Sequence, residues 1–140
     1  VFVGYLDDPE ATARAMDPQG WLHTGDIAVV DDDGFVYIVD RAKDLIIVSG
    51  FNVFPAEVER VLNAHPGVVE SGVVGVPHPH TGESVKAFIV AEPGRVLEED
   101  DLIEWCATEL ARYKCPTKID LVDEIHRGLG GKIIRRELGA

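Results

Sequence analysis

The sequence predicts an α+β fold in which a roughly three-stranded sheet is covered by helices and accompanied by a β-hairpin. Hydrophobic residues make up 46% of the 140 residues, and a chain of this length can bury most of its apolar surface. From residue 44 onward, apolar runs with strand character alternate with segments of helical periodicity. Turn-forming residues separate these runs. We therefore expect a compact layer of strands and helices.

The first part of the chain contains a short helix and a hairpin. An aspartate before Pro9 can cap a helix that has the proline in its first turn and continues to about Met16. Residues 27–30 and 35–39 are strand-like and flank an acidic turn, which predicts a β-hairpin.

The stretch before Lys43 has no core of its own, and the sequence begins with Val1 in an apolar run. We expect residues 1–43 to be the remnant of a larger neighbouring domain whose preceding part is missing. The domain boundary is placed at Lys43, so that residues 44–140 form a second, small domain.

The predicted order in the second domain is hairpin, helix, strand, strand, helix, strand, loop and helix. The corresponding segments are a hairpin at 45–48 and 52–54, a helix from Pro55 to His65, strands at 68–76 and 85–91, a helix at 98–112, a strand at 118–122 and a final helical turn or two at 132–138.

Charge, hydropathy and cysteine content exclude several classes of protein function. With 13 basic and 25 acidic residues the net charge is -12, which argues against general nucleic-acid binding. No apolar run has transmembrane length, and no signal-peptide pattern is present. The two cysteines, Cys106 and Cys115, form neither a disulfide framework nor a metal site. A reduced, cytoplasmic setting is expected.

The most informative single residue is Lys132, because three glycines occupy positions 128, 130 and 131 just before it. Glycine lets a backbone approach a ligand closely, and a lysine at the end of such a loop can deliver a positive charge to a phosphate or carboxylate. Taken alone, the pattern also fits a surface turn before a basic helix.

Two further motifs precede this loop, and their order and spacing matter. Residues 20–26 read Gly-Trp-Leu-His-Thr-Gly-Asp, and residues 39–59 contain Asp-Arg-Ala-Lys-Asp followed by Ser-Gly-Phe-Asn-Val-Phe-Pro-Ala-Glu-Val-Glu. Together with Gly-Lys-Ile-Ile-Arg-Arg-Glu-Leu at 131–138, they closely resemble the adenylate-forming enzyme superfamily. That family includes acyl-CoA synthetases, aryl-CoA ligases, firefly luciferase and peptide-synthetase adenylation domains. The resemblance covers nearly the whole chain.

The resemblance implies a role for each matching residue. Lys132 matches the catalytic lysine of adenylation. Asp26 and Arg41 match contacts to the AMP ribose, and Gly50 matches the glycine beside the pantetheine arm of CoA. Lys43 matches the hinge between a large domain and a mobile small domain. Each residue can also be interpreted as purely structural. Asp26 would then be a turn aspartate, Arg41 a solvated arginine and Gly50 a turn glycine, and Lys43 and Lys132 would be ordinary surface lysines. The loop before Lys132 lacks the proline and serine of the usual family form, so the resemblance does not establish that this loop is stiff, although the role it implies for Lys132 is unaffected.

The resemblance further implies the C-terminal part of an AMP-forming acyl-CoA synthetase, with ATP and CoA as cosubstrates and a small-molecule carboxylic acid as substrate. His23 and residues 49–55 favour a fatty-acyl enzyme. Mg²⁺ is expected in the full-length enzyme, but none of the residues of this chain is expected to bind it. The phosphate loop and acyl pocket of the family lie earlier in the chain, in the large N-terminal domain that is the expected partner. The fragment alone should therefore be inactive. The alternatives are a luciferase-like or peptide-synthetase-type adenylation enzyme, or a non-catalytic α+β interaction module.

Overall fold

The computed structural model of the protein describes residues 2–138. By its internal contacts the chain divides into two compact units, one ending at Lys43 and the other beginning at Asp44.

The first unit consists of a helix and a two-stranded sheet. Helix α1 spans Pro9–Ala15, and the Asp8 carboxylate caps it by accepting a 2.8 Å hydrogen bond from the Ala11 amide. Strands β1 (Asp26–Val30) and β2 (Val36–Arg41) pair antiparallel around the acidic turn. The predicted helix and hairpin are confirmed.

Hydrophobic side chains in this unit remain largely exposed. Asp40 is the one buried residue among positions 2–43, and α1 buries none of its residues. The hairpin exposes more than half of each of these apolar side chains: Val29, Val30, Phe35, Val36, Tyr37 and Ile38.

The second unit is an α+β layer, as predicted. Its elements are strands β3 (Ile46–Val48) and β4 (Phe51–Val53), helix α2 (Pro55–Asn63), strands β5 (Val68–His78) and β6 (Gly82–Ala91), helix α3 (Glu99–Glu109) and strand β7 (Lys118–Leu121).

One sheet unites all five strands of this unit. The long strand β6 pairs antiparallel with β5 along one edge and parallel with β7 along the other. The β3–β4 hairpin joins the same sheet through the pairing of Val48 with Gly82. The predicted hairpin thus extends the three-stranded core of the sheet to the order β4-β3-β6-β5, with β7 also on β6.

A different hydrophobic cluster packs on each face of the sheet. Along β6, alternate residues point to opposite faces. Val85, Ala87 and Ile89 belong to the main core, which includes buried residues of α2 and α3 such as Leu62 and Leu102. A second cluster, on the opposite face, joins Phe88 to the C-terminal segment through these residues: Ile125, Leu138, Val74, Val90, Val122 and Ile133.

The predicted terminal helix at 132–138 is wrong over most of its length. A single 3-10 turn, Arg135–Glu137, replaces it. Ile133 instead pairs with Arg127 in an antiparallel bridge, and Leu138 packs on the sheet. A Cβ atom at Gly72 would lie 2.6 Å from Leu138 Cδ1, so the glycine makes room for this close cover. Tertiary packing therefore overrides the local helical pattern.

Both cysteines are buried and free. Burial raises the pKa of the Cys106 thiol to about 12, with a further contribution from nearby Cys115. They serve as small core residues. In the described part of the chain, every helix is too short or too polar to cross a bilayer.

Candidate functional site

Asp26 and Arg41 face each other across the hairpin of the first unit. They are register partners at the ends of β1 and β2, and Arg41 Nε lies 3.0 Å from Asp26 Oδ1. Arg41 Nε makes no hydrogen bond of good geometry, so this contact is a charge pair rather than a directed bond. The Thr24 hydroxyl accepts a 3.2 Å bond from the Asp26 amide, which restrains the backbone at Asp26. The sequence motif Thr-Gly-Asp and the later arginine thus meet in one place.

The turn before Asp26 depends on Gly25. Its φ of +73° lies in the left-handed region that favours glycine, and its carbonyl accepts a 2.8 Å bond from the Ala42 amide. Arg41 Nη2 lies 3.8 Å from the position of a Cβ on this glycine. The glycine therefore shapes the immediate surroundings of both charged side chains.

Lys43 lies in the middle of a 3-10 turn, Ala42–Asp44, and its side chain is exposed. The division between the two units falls directly after it.

Gly50 occupies the tip of the β3–β4 hairpin. Ser49 and Gly50 have φ values of +51° and +84°, as expected for a two-residue type I′ turn. A Cβ on Gly50 would meet no atom within 4 Å, so backbone conformation, and not crowding within this unit, demands the glycine. Ser49 also lines a cavity of about 390 Å³ whose other walls include His78, Arg112 and Tyr113.

Phe51, which follows Gly50, is exposed at 56% and stacks on Tyr113 with ring centroids 4.8 Å apart. Lys114 is held by Glu57 of α2 at 2.7 Å. An aromatic surface and a cavity therefore flank the glycine turn, an arrangement that the sequence motif alone did not reveal.

Lys132 is exposed at the end of a tight loop that follows β7. The loop is closed by hydrogen bonds from the Gly128 amide to the Lys132 carbonyl at 2.9 Å and from the Gly131 amide to the Gly128 carbonyl at 2.8 Å. Gly131 has a φ of +73°, which the left-handed preference of glycine accommodates. The chain thus presents a lysine from a short loop whose base is fixed on the sheet.

Three carboxylates to which the sequence analysis gave no role anchor the segment around Lys132. Glu59 of α2 binds the Arg135 guanidinium through both carboxylate oxygens, and Asp44 Oδ2 lies 3.7 Å from Arg135 Nε. Glu70 of β5 binds Arg127 at 2.6 Å. The Arg127–Glu70 pair is 57 residues apart in the sequence and the Arg135–Glu59 pair is 76 apart, so no local pattern could have paired them.

The predicted site residues are thus distributed over both units. Asp26 and Arg41 lie together in the first unit, whereas Gly50 and Lys132 occupy separate loops of the second. Within residues 2–138, no group of three or more His, Cys, Asp or Glu side chains is arranged to hold a metal ion.

Comparison with known proteins decides the family. Residues 57–132 match the family described as AMP-binding enzyme C-terminal domain, and this match covers more than half of the chain. The chain belongs to this family. The match spans α2 to the loop and ends at Lys132.

Two of the similar proteins are CoA ligases. Over 138 residues the chain is 49% identical to a 3-[(3aS,4S,7aS)-7a-methyl-1,5-dioxo-octahydro-1H-inden-4-yl]propanoyl:CoA ligase of Rhodococcus jostii (strain RHA1), covering 99% of this chain and 27% of the relative. It is also 49% identical to a long-chain-fatty-acid–CoA ligase of Escherichia coli O6:H1, covering 99% of this chain and 24% of that one. The chain therefore spans about a quarter of the length of these relatives.

Solved structures give the same fold. The crystal structure of ATP-bound MatB from Rhodopseudomonas palustris matches with a TM-score of 0.93 and 40% identity, covering 99% of this chain and 27% of MatB. An o-succinylbenzoate CoA synthetase from Bacillus subtilis, in complex with its acyl-adenylate intermediate, matches with a TM-score of 0.89 and 36% identity, over 98% of this chain and 28% of that one. Membership of an acyl-CoA synthetase-like, adenylate-forming family is thus confirmed.

Proposed function

We propose that the chain is the C-terminal part of an ATP-dependent acyl-CoA synthetase. The complete enzyme would convert a carboxylic acid, ATP and CoA to acyl-CoA, AMP and pyrophosphate through an acyl-adenylate. The observation that carries this proposal is the exposed Lys132, held by an anchored glycine loop at the end of a region that matches the family. The CoA ligases that align over almost the whole chain support it.

Lys132 would serve the first step. That step brings an anionic carboxylate to the α-phosphate of ATP, and a cation placed between them offsets repulsion and stabilises charge that grows on the transferred oxygens. An exposed lysine with a flexible stem can make this contact from a domain that moves. Mg²⁺ would neutralise phosphate charge in the complete enzyme, but the described residues contain no cluster that fits it.

Asp26 and Arg41 would bind the AMP ribose. A carboxylate can accept a hydrogen bond from each of two vicinal hydroxyls, and the Asp26 side chain is 26% exposed, so part of it is accessible to a ligand. Arg41 would hold this carboxylate in position and contribute a second donor.

Gly50 would serve the second step, in which CoA attacks the adenylate. The glycine turn leaves open space at the tip of the hairpin, and a narrow thiol arm could pass along it. Because Gly50 and Lys132 lie on different loops, one domain could present them in turn by rotating at Lys43. A hinge of this kind needs only backbone freedom at the end of an element.

In this proposal residues 1–43 are the last part of a large N-terminal domain, and residues 44–140 are the mobile small domain. The enzyme would act in the cytoplasm. Fatty acids are the proposed substrates, because a long-chain-fatty-acid–CoA ligase aligns over 99% of this chain. A feruloyl-CoA synthase from Amycolatopsis, 44% identical over 138 residues, keeps aryl acids as the competing class.

The test uses the complete ligase that contains this chain, with palmitate and ferulate as representative acids. Lys132→Ala should reduce pyrophosphate release by about 100- to 1000-fold while leaving thioester formation from supplied acyl-adenylate and CoA intact. Lys118→Ala, which removes another exposed lysine of the same unit, is the control. Full pyrophosphate release by Lys132→Ala would overturn the assignment.

Two further measurements separate the alternatives. An acyl-CoA synthetase releases AMP in a CoA-dependent manner, whereas a luciferase-like or peptide-synthetase-type enzyme does not. The 140-residue chain alone should show no ATP binding at micromolar concentration, since the phosphate loop of the family is not among its motifs. A micromolar affinity of the 140-residue chain for ATP would contradict the proposal that ATP is bound mainly by the N-terminal domain.

A further inference from the structure

The loop that carries Lys132 has an unusual need for support. Three of its residues are glycines, at positions 128, 130 and 131, and glycine has the greatest backbone freedom of any residue. Leu129, at the tip, is fully exposed and packs on nothing that could hold it. The loop also lacks the proline and serine of the usual family form. If Lys132 is to be presented in a fixed place, another group must restrain its backbone.

Arg127 provides such a restraint. Its Nη1 donates a 2.7 Å hydrogen bond to the Gly131 carbonyl, and its Nη2 donates a 2.6 Å bond to Glu70 Oε2. The Gly131 carbonyl belongs to the same planar peptide unit as the Lys132 amide. One guanidinium therefore ties the peptide plane of Lys132 to a carboxylate on β5.

The anchor on the far side of this bridge belongs to the sheet. Glu70 lies on β5 and is the register partner of Val90 on β6, directly after an irregularity in the pairing between Val68 and Glu70. The base of the loop is fixed separately, since the Arg127–Ile133 bridge and the bond from the Ile134 amide to the His126 carbonyl at 2.9 Å close it. Arg127 thus adds to the closed base a side-chain bond that reaches the residue next to Lys132.

Charge argues against a direct role for Arg127 as a phosphate ligand. Its guanidinium already has a carboxylate on one side and a carbonyl on the other. Of its five N–H donors two are used, and the Glu70 carboxylate already neutralises its charge, which weakens its attraction for a second anion.

We propose that Arg127, held by Glu70, is a positioning residue that restrains the Gly131–Lys132 peptide and so sets where the Lys132 amine is delivered during adenylation. This inference rests on the proposed function of Lys132. Catalysis by a placed group is sensitive to displacements of about 1 Å, which can cost on the order of 100-fold in rate. Loss of the restraint should therefore lower the rate of adenylation without removing the lysine.

The experiment compares Arg127→Gln, Arg127→Lys and Glu70→Gln with Lys132→Ala in the complete ligase. Arg95→Gln, an exposed arginine on the loop after β6, is the matched control. Arg127→Gln should lower kcat for pyrophosphate release by about 10- to 100-fold, with the KM for ATP little changed. Arg127→Lys cannot make both bonds of the planar fork and should recover only part of the activity. Glu70→Gln should shift activity in the same direction by a smaller factor.

Three readouts distinguish positioning from a merely structural role. Thioester formation from supplied acyl-adenylate and CoA should be unaffected by Arg127→Gln. The thermal unfolding midpoint should move by about 3 °C or less, because solvent reaches the ion pair, whose Arg127 and Glu70 side chains are 45% and 26% exposed. The double variant Lys132→Ala with Arg127→Gln should be no slower than Lys132→Ala alone, since Arg127 acts through Lys132.

Each contrary result has a defined meaning. A rise in the KM for ATP alone would make Arg127 a nucleotide ligand and overturn the positioning role. Equal losses in both half-reactions, or a large fall in unfolding midpoint, would reduce it to a folding residue. If Lys132→Ala stops adenylation while Arg127→Gln retains full activity, only the positioning proposal fails. If Lys132→Ala itself retains full activity, the proposed function of Lys132 has failed.

Discussion

The two units of the chain use their apolar side chains differently. Every buried hydrophobic side chain in residues 2–138 lies after Asp44, in the two clusters that cover the sheet of the second unit. The hairpin of the first unit exposes consecutive apolar residues, which alternate between its two faces. An isolated two-stranded hairpin is marginally stable at best. The difference teaches that the second unit carries its own hydrophobic core, whereas the first leaves the apolar side chains of both hairpin faces exposed within the described residues.

One ion pair from each unit illustrates a similar difference. In the first unit, Arg14 and Glu10 are one helical turn apart and strongly exposed. In the second unit, Arg135 and Glu59 are 76 residues apart, and their side chains are 19% and 12% exposed. Exposed local pairs add little stability, whereas breaking a mostly buried pair is costly. The second unit therefore also uses charge to connect distant elements.

The largest expected effect comes from separating the units. Residues 44–140 alone should unfold cooperatively, because they retain both hydrophobic clusters, whereas residues 1–43 alone should show no cooperative transition. Far-ultraviolet circular dichroism during heating, together with the fluorescence of Trp105 and Trp21 in the respective pieces, measures this. A cooperative transition in residues 1–43 would break the comparison between the units.

A matched pair of leucines sharpens the comparison. Leu102 of α3 is 0% exposed and Leu6 is 91% exposed. In the 140-residue chain, Leu102→Ala should lower the free energy of unfolding by about 3 kcal/mol, because it removes buried methyl groups and leaves a cavity. Leu6→Ala should change it by about 0.5 kcal/mol or less. Urea denaturation measures both values. Similar losses in the two variants would mean that Leu6 is buried in solution.

Sequence patterns predicted the elements of both units well but not what holds them together. Pro55 and the periodic Val58, Val61 and Leu62 place α2 correctly, because a buried helical face leaves a local signature. The prediction of a final helix was wrong, because Ile133 and Leu138 bury their apolar side chains against the sheet instead of continuing a helix.

The candidate site shows the same limit. Its individual residues could be named from motifs, because each motif lies within a short stretch of sequence. Their supports could not, since Glu70 reaches Arg127 and Glu59 reaches Arg135 only in the folded chain. The sequence carried one related signal, the absence of the family's proline from the loop before Lys132, but it did not point to Arg127 or Glu70.

A second matched pair tests the role of charge. Glu59→Gln removes the carboxylate that holds Arg135 and also accepts the Val73 amide at 2.9 Å. It should lower the free energy of unfolding by about 2 kcal/mol, below the range for fully buried pairs because some solvent reaches this one. Glu10→Gln, the corresponding change in α1, should cost about 0.3 kcal/mol. Urea denaturation of both variants in the same buffer decides whether long-range pairs matter more.

The smallest effect concerns two aspartates whose pKa values are lowered for different reasons. The pKa of Asp120 in the second unit is lowered chiefly by its hydrogen bond from Lys86, at 2.7 Å, and further by the charge of Lys118. The pKa of Asp31 in the first unit is lowered chiefly by the backbone amide of Phe35, with a further bond from the Tyr37 hydroxyl. Salt screens exposed charge pairs but leaves short hydrogen bonds to neutral donors largely intact.

Titration by nuclear magnetic resonance at low and high salt should therefore show that added salt raises the pKa of Asp120 toward its ordinary value more than that of Asp31. Because folding lowers the pKa of Asp120, its contribution to stability is present above the unfolded pKa of about 3.9 and is lost as pH falls through the folded value. Asp120→Asn should accordingly cost about 0.5 kcal/mol or less at pH 6 and nothing well below the folded pKa. If salt raised the pKa of Asp31 as much as that of Asp120, the charge of Lys86 would not be what distinguishes the two aspartates. Local hydrogen bonding would then lower both pKa values in the same way.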